Sequence, residues 1–194
     1  PLNDDNLGML APIALYASPS YVLVVNPVVN VATVKELVAL AKAQPGRLAY
    51  GSTGGGAASH LAAELFKAMA GVDLLHVPYK GVGNAVADLL CNQVQLMIAP
   101  SQAVIPQVKS GKLRALAVSG SERSPTLPEL PTISEAGVSG YSAEGWFGLV
   151  APAATPKDVV ANLNREVNRV LRLPEVKPRL LDLGASPAST TPEQ

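Results

Sequence analysis

The chain has 194 residues, of which 48% are apolar and 15% charged, and its 15 basic and 15 acidic side chains leave no net charge. That is length enough for one domain or two small ones, and apolar enough to exclude disorder. The charges are scattered, with no basic stripe, which argues against nucleic acid and anionic membranes as partners, and no apolar run approaches the ~18 residues of a membrane span.

In chain order, Pro1 to Leu10 is polar and turn-like. Pro12 to Val25 reads as one or two strands, interrupted around Ser18-Pro19-Ser20. Tyr21-Val22-Leu23-Val24-Val25 is a continuous apolar run, the mark of a strand covered on both faces. Thr33-Val34-Lys35-Glu36 is a capping box, opening a helix with Val34, Leu37, Val38 and Ala41 on one face. That helix stops at Pro45-Gly46. A short β-like run, Arg47 to Tyr50, then leads into Gly51-Ser52-Thr53-Gly54-Gly55-Gly56. The helix after it carries Leu61, Leu65, Phe66 and Met69 at helical spacing and ends near Gly71.

Leu74 to Val77 is a strand running into Pro78-Tyr79-Lys80-Gly81. An apolar helix from about Asn84 to Cys91 follows, and the lone Cys91 reads as a small core residue that excludes an intrachain disulfide. Val94 to Ala99 is another strand. A short helix, broken or begun at Pro106, leads to the strand Leu113 to Val118. Pro45-Gly46-Arg47-Leu48-Ala49 and Ser110-Gly111-Lys112-Leu113-Arg114-Ala115 both read as helix stop, basic residue, strand. This is the recurring αβ step of a parallel sheet.

Ser121 to Pro131 is a proline-bearing loop, and Thr132-Ile133-Ser134-Glu135 is a second capping box for one short turn. Ala143 to Ala151, with Trp146, reads as a strand. Thr155-Pro156 caps a helix that places Val159, Val160, Leu163, Val167, Val170 and Leu171 inward. Pro174 opens a short helix ending near Gly184, and Thr191-Pro192-Glu193-Gln194 looks like a further helix start. The chain begins and stops in mid-pattern, as a fragment would, and shows no signal peptide.

Strand, glycine loop and helix start together can receive an anion. Glycine allows close approach to bare amides, and the helix start carries partial positive charge. The same pattern also fits a tight turn that binds nothing. Other chemistries find less support. His60 and His76 have no cluster of further ligands beside them, so no metal is expected, and both read as structural hydrogen-bonding residues. No Gly-x-Ser-x-Gly elbow surrounds Ser52, and no Gly-Lys-Ser/Thr closes the loop for a nucleotide phosphate. A dinucleotide cofactor lacks its acidic partner, since Asp73 sits at a strand start. Three loops remain as candidates: Ser52 to Ser59, Tyr79-Lys80-Gly81 and Ala99-Pro100-Ser101. Each follows the carboxyl end of a predicted parallel strand, the edge where ligands sit in open α/β sheets.

The run Leu75-His76-Val77-Pro78-Tyr79-Lys80-Gly81 resembles the Bug family, the periplasmic solute-binding proteins of tripartite tricarboxylate transporters. Gly111 to Val118, Pro131-Thr132-Ile133-Ser134-Glu135-Ala136-Gly137 and Trp146-Phe147-Gly148-Leu149 carry the same resemblance, in order and at matching spacing. It implies an α/β, type II periplasmic-binding-protein (Venus-flytrap) fold of two lobes with the ligand in an interlobe cleft. Residues 1–25 would be part of lobe 1 and the first crossover, 26–141 lobe 2, and 142–194 the second crossover and the return to lobe 1. The early part of lobe 1 and the last helix would be missing, and without them this chain alone should bind poorly.

The implied activity is capture of a small carboxylate (a di- or tricarboxylate or an aromatic acid) and delivery to cognate membrane subunits, without catalysis or cofactor. The protein would be a periplasmic monomer that neither binds nucleic acid nor enters the membrane. The implied ligand-binding residues are Ser52, Thr53, Gly54, Gly55, Gly56, Ala57, Ser59, Tyr79, Lys80, Gly81 and Ala99. Gly55, Ala57 and Ala58 stand where the family often has side-chain donors. Ala99 stands where amino-acid-binding relatives have an aspartate, so a plain carboxylate is expected before an amino acid. The alternatives are a ligand-sensing module for a signalling partner and a phosphate-loop enzyme. The enzyme would need a general base and a nucleophile in register with the loop, and neither is evident.

Overall fold

The computed structural model describes residues 8–182 and 184–192. They form two compact units, one made of the chain up to Pro19 and from Trp146 onward, the other of Ser20–Gly145. In chain order the elements are β1 (Leu10–Pro19), β2 (Tyr21–Val25), α1 (Val34–Ala43), β3 (Ala49–Ser52), α2 (Ala58–Ala70), β4 (Leu75–Pro78), α3 (Val82–Leu90) and β5 (Leu96–Pro100). There follow α4 (Ser101–Lys109), β6 (Arg114–Val118), β7 (Phe147–Pro152), α5 (Lys157–Leu171), α6 (Val176–Asp182) and β8 (Ala185–Pro187).

The 20–145 unit is built on a five-stranded sheet of order β4-β3-β5-β2-β6. β3 is parallel to β4 and β5, while β2 is antiparallel to both β5 and β6. Four strands therefore share one direction and β2 alone runs against them. The expected parallel sheet is thus corrected at β2. That strand precedes the first helix, so the αβ step, which is a statement about strands that follow helices, never applied to it.

β2 is covered on both faces, as its composition requires. Val22 and Val24 join one core cluster with Ala85, Leu89 and Met97, while Leu23 and Val25 join another with Leu37, Tyr50 and Phe66. Asn26, at the end of β2, spends its whole amide. Its oxygen accepts the Val28 N–H at 2.9 Å, and its nitrogen donates to the Leu89 and Leu90 carbonyls at 2.8 and 3.2 Å.

The second capping box forms in full and the first by half. Thr33 Oγ1 accepts the Glu36 N–H at 3.2 Å, although the Glu36 carboxylate takes the Ala32 N–H instead of that of Thr33. Thr132 and Glu135 satisfy each other's N–H groups, at 2.9 and 3.0 Å.

Helix α2 departs from its expected orientation. Its buried residues are Ser59, Ala62, Ala63, Phe66 and Ala70, while Leu61, Leu65 and Met69 are exposed. Two adjacent stripes of this helix are apolar, and the stripe of small residues is the one that lets the helix lie close on the sheet. Cys91 is also exposed, because α3 ends at Leu90 and the cysteine caps it beyond the last buried residue, Leu89.

The other unit has a three-stranded sheet of order β7-β1-β8, with β1 antiparallel to both neighbours. β8, three residues long, carries too short a pattern to be read from sequence. Pro156 caps α5 without a side-chain hydrogen bond, so Thr155 does not play the expected part. No described residue of α5 is buried, and Val159, Leu163 and Val170 are exposed. The helix is tied to β1 through Asn164, whose Nδ2 donates to the Ile13 carbonyl at 2.7 Å. A sheet of three strands covers only part of the expected inward stripe. Of the N-terminal stretch read as turn-like, residues 1–7 lie outside the described residues, as do Glu193 and Gln194 of the proposed last helix start. No described helix is long and apolar enough to cross a membrane.

Candidate functional site

The carboxyl ends of β3, β4 and β5 meet at one edge of the 20–145 sheet. Register makes Ser52 and Pro78 neighbours on β3 and β4, and the Tyr79 N–H donates to the Ser52 carbonyl at 3.0 Å. The first two candidate loops are therefore joined. Within the glycine loop, Gly54 and Gly56 adopt φ of 141° and 80°, a region that side chains disfavour. These two residues fold the chain back from β3 into α2.

The amides of this loop fall into two sets. Thr53 N–H donates to Ser59 Oγ at 3.0 Å, Gly54 N–H to Ser52 Oγ at 3.3 Å, Gly56 N–H to His60 Nδ1 at 3.0 Å and Ala57 N–H to the Gly54 carbonyl at 3.3 Å. The amides of Gly55, Ala58 and Ser59 make no hydrogen bond among the described residues. Ala58 and Ser59 are the first two residues of α2, so their amides belong to the orphan donors of a helix start. Gly55 and Ala58 are exposed, so at least these donors reach solvent. Ala58 is the donor that side-chain reasoning passed over, because alanine advertises nothing. The signal available in sequence was its place in the first turn.

Ser52 and Ser59 are almost wholly buried, at 0% and 1% exposure, and their hydroxyls hold the loop together. Ser59 Oγ also pairs with Thr53 Oγ1 at 3.0 Å, and Ser52 Oγ lies 2.7 Å from His76 Nε2. Ser59→Ala should therefore cost about 1–3 kcal/mol, the penalty for leaving the Thr53 N–H without its acceptor. Urea unfolding followed by circular dichroism checks this, and a change below ~0.5 kcal/mol would show that water replaces the hydroxyl.

At the second loop, Tyr79 donates its hydroxyl to Asp88 at 2.8 Å, and burial together with this carboxylate pushes the phenol up to about 12. Lys80 is exposed and has no ion-pair partner among the described residues. Gly81 begins the turn into α3. At the third loop, Ala99 is 0% exposed, within the cluster of Val22, Val24 and Met97. The Ser101 N–H donates to the Ser20 carbonyl at 2.9 Å.

The histidines lie against the same loop. Cross-strand register sets Tyr50 beside His76, and the rings of Tyr50, His76 and His60 stack in that order, with centroids 4.8 and 4.1 Å apart. Tyr50 donates to Glu64 at 2.5 Å, and Lys67 pairs with the same carboxylate at 2.8 Å. These two partners, Lys67 first, hold Glu64 below the ordinary carboxylate range, while burial raises the Tyr50 phenol. Burial and the neighbouring His60 lower His76. Among the described residues, no three His, Cys, Asp or Glu side chains gather to hold a metal.

Comparison with solved structures identifies this nearly parallel sheet with loops at its carboxyl edge as part of a periplasmic-binding-protein fold. R. palustris Rpa4515 with adipate superposes with a TM-score of 0.89 at 37% identity, over 95% of this chain and 62% of that one. MatC from Rhodopseudomonas palustris with bound malate gives a TM-score of 0.82 at 32% identity, over 91% and 60%. The chain belongs to the tripartite tricarboxylate transporter receptor family, whose family model matches residues 2–194. Protein BugT of Bordetella pertussis is 37% identical over 185 residues, which is 95% of this chain and 57% of that protein. The chain thus spans little more than half the length of this relative.

Proposed function

We propose that this chain is part of a periplasmic solute-binding protein that captures a small carboxylate and delivers it to the membrane subunits of a tripartite tricarboxylate transporter. The observation that carries the proposal is the set of unpaired amides of Gly55, Ala58 and Ser59 at a helix start. Such donors suit carboxylate oxygens, because the helix dipole and the N–H groups act on the same negative charge. Lys80, exposed and with no ion-pair partner among the described residues, is available for a further negative group. Adipate and malate, bound in the two structural neighbours, are both dicarboxylates, which supports the same ligand class here. The role is binding and hand-over, with no bond made or broken.

The test is a thermal-shift screen of the full-length protein against adipate, malate, citrate, benzoate and glutamate. A true ligand raises the midpoint with concentration, by about 2.7 kcal/mol of stabilisation at a hundredfold excess over its Kd. A plain di- or tricarboxylate should outrank glutamate, because the buried alanine at position 99 offers an ammonium no counter-charge. Absence of any shift with all five acids at millimolar concentration would overturn the reading.

A further inference from the structure

The hydrogen bond between Gly56 and His60 ties the loop to a proton. A backbone N–H can only donate, so the His60 Nδ1 that accepts it at 3.0 Å must be bare. In this arrangement His60 is neutral and carries its proton on Nε2. Its neutral form keeps the Gly56 amide away from any ligand, although Gly56 itself is exposed and adjoins the free amide of Gly55.

We propose that His60 is a positioning residue that gates the Gly56 donor, so that the protein binds its carboxylate ligand with uptake of a proton. This rests on the reading of the glycine loop as the carboxylate site. When Nδ1 takes a proton from solvent, two donors face each other and the Gly56 bond is lost. An anion beside Gly55 can then accept from both the Gly56 N–H and the new Nδ1–H. Bound anion and imidazolium therefore favour each other, and by linkage the affinity rises as pH falls.

The surroundings fit that direction. His60 is the partly exposed end of the ring stack and can reach solvent protons. His76, beneath it, is lowered by burial and by His60. The other polar groups facing the pair are Tyr50 and Ser52 on β3 and Glu64 and Lys67 on α2. The two charged groups, Glu64 and Lys67, pair with each other at 2.8 Å.

The experiment is calorimetry of adipate binding to the full-length protein between pH 6.2 and 7.8, in buffers of different ionisation enthalpy. Imidazoles as a class titrate in about this range, whereas adipate is already ionised over most of it. The expected result is a fractional proton taken up per ligand and an affinity that rises severalfold from pH 7.5 to 6.5. His60→Gln should abolish both effects, since its side chain takes up no proton in this range. Wild-type binding without proton uptake would overturn the proposal while leaving the carboxylate site intact. Uptake that survives His60→Gln would overturn it as well. The wild-type measurement needs no variant to fold. Failure of the loop reading would show differently, as adipate binding unaffected by removal of the Ala58 amide.

Discussion

Phe66→Ala should lower the stability of the 20–145 unit by about 3–5 kcal/mol, the cost of emptying a well-packed aromatic site. Phe66 is 1% exposed and meets Tyr141 edge-on, with centroids 6.2 Å apart and planes at 78°. Tyr141 cannot swing into the space left behind, because its hydroxyl donates to the Ala62 carbonyl at 2.9 Å. On the helix itself the neighbouring buried side chains are Ala62 and Ala63, too short to fill the gap. Transfer and cavity terms should therefore both appear in full. Urea unfolding followed by far-ultraviolet circular dichroism gives the value, and Phe66→Leu should recover more than half of it. A loss below ~1 kcal/mol for the alanine variant would mean that α2 settles onto the sheet after all.

Ala58→Pro should weaken carboxylate binding by about 10- to 100-fold and leave the fold intact. The residue is the first of α2, where proline is well tolerated because its missing N–H has no intrahelical partner. The preceding Ala57 has φ −67° and ψ 157°, the extended geometry that a residue before proline adopts. The substitution thus deletes one donor and nothing else. A hydrogen bond to a charged group contributes about 1.5–3 kcal/mol, which sets the expected range. Calorimetry with adipate measures the loss, circular dichroism confirms the helix, and Ala58→Ser, which retains the N–H, should bind as the wild type does. Equal affinity in the proline variant would remove the glycine loop from the site.

The chemistry that makes Ala58 matter shows how much of the site could be read in advance. Gly54, Gly55 and Gly56 between a strand and a helix fit an anion receptor as well as a tight turn. Their pattern does not say which amides are already taken. That depends on Ser59 and His60 turning back from α2, and on Ser52 meeting His76, 24 residues away along the chain. In the folded unit the hydroxyls of Ser52 and Ser59 accept amides of the loop itself. The histidines were legible as hydrogen-bonding residues, but their stacking on Tyr50 requires the register of β3 against β4.

What the amino-acid order determined by itself was local. The apolar run of β2, the capping residues Thr33 and Thr132, the glycine turn and the strand-to-helix breaks at the three loops each rest on residues close together along the chain. The family resemblance was likewise present in the order of its motifs. The tertiary structure decided the reversed direction of β2, the choice of the alanine stripe over Leu61, Leu65 and Met69 on α2, and the division of loop amides into engaged and free. These are outcomes of competition between partners distant in sequence. Hydrophobic burial fixes only that an apolar face is covered, whereas close packing and hydrogen-bond geometry select which face, and which donors remain.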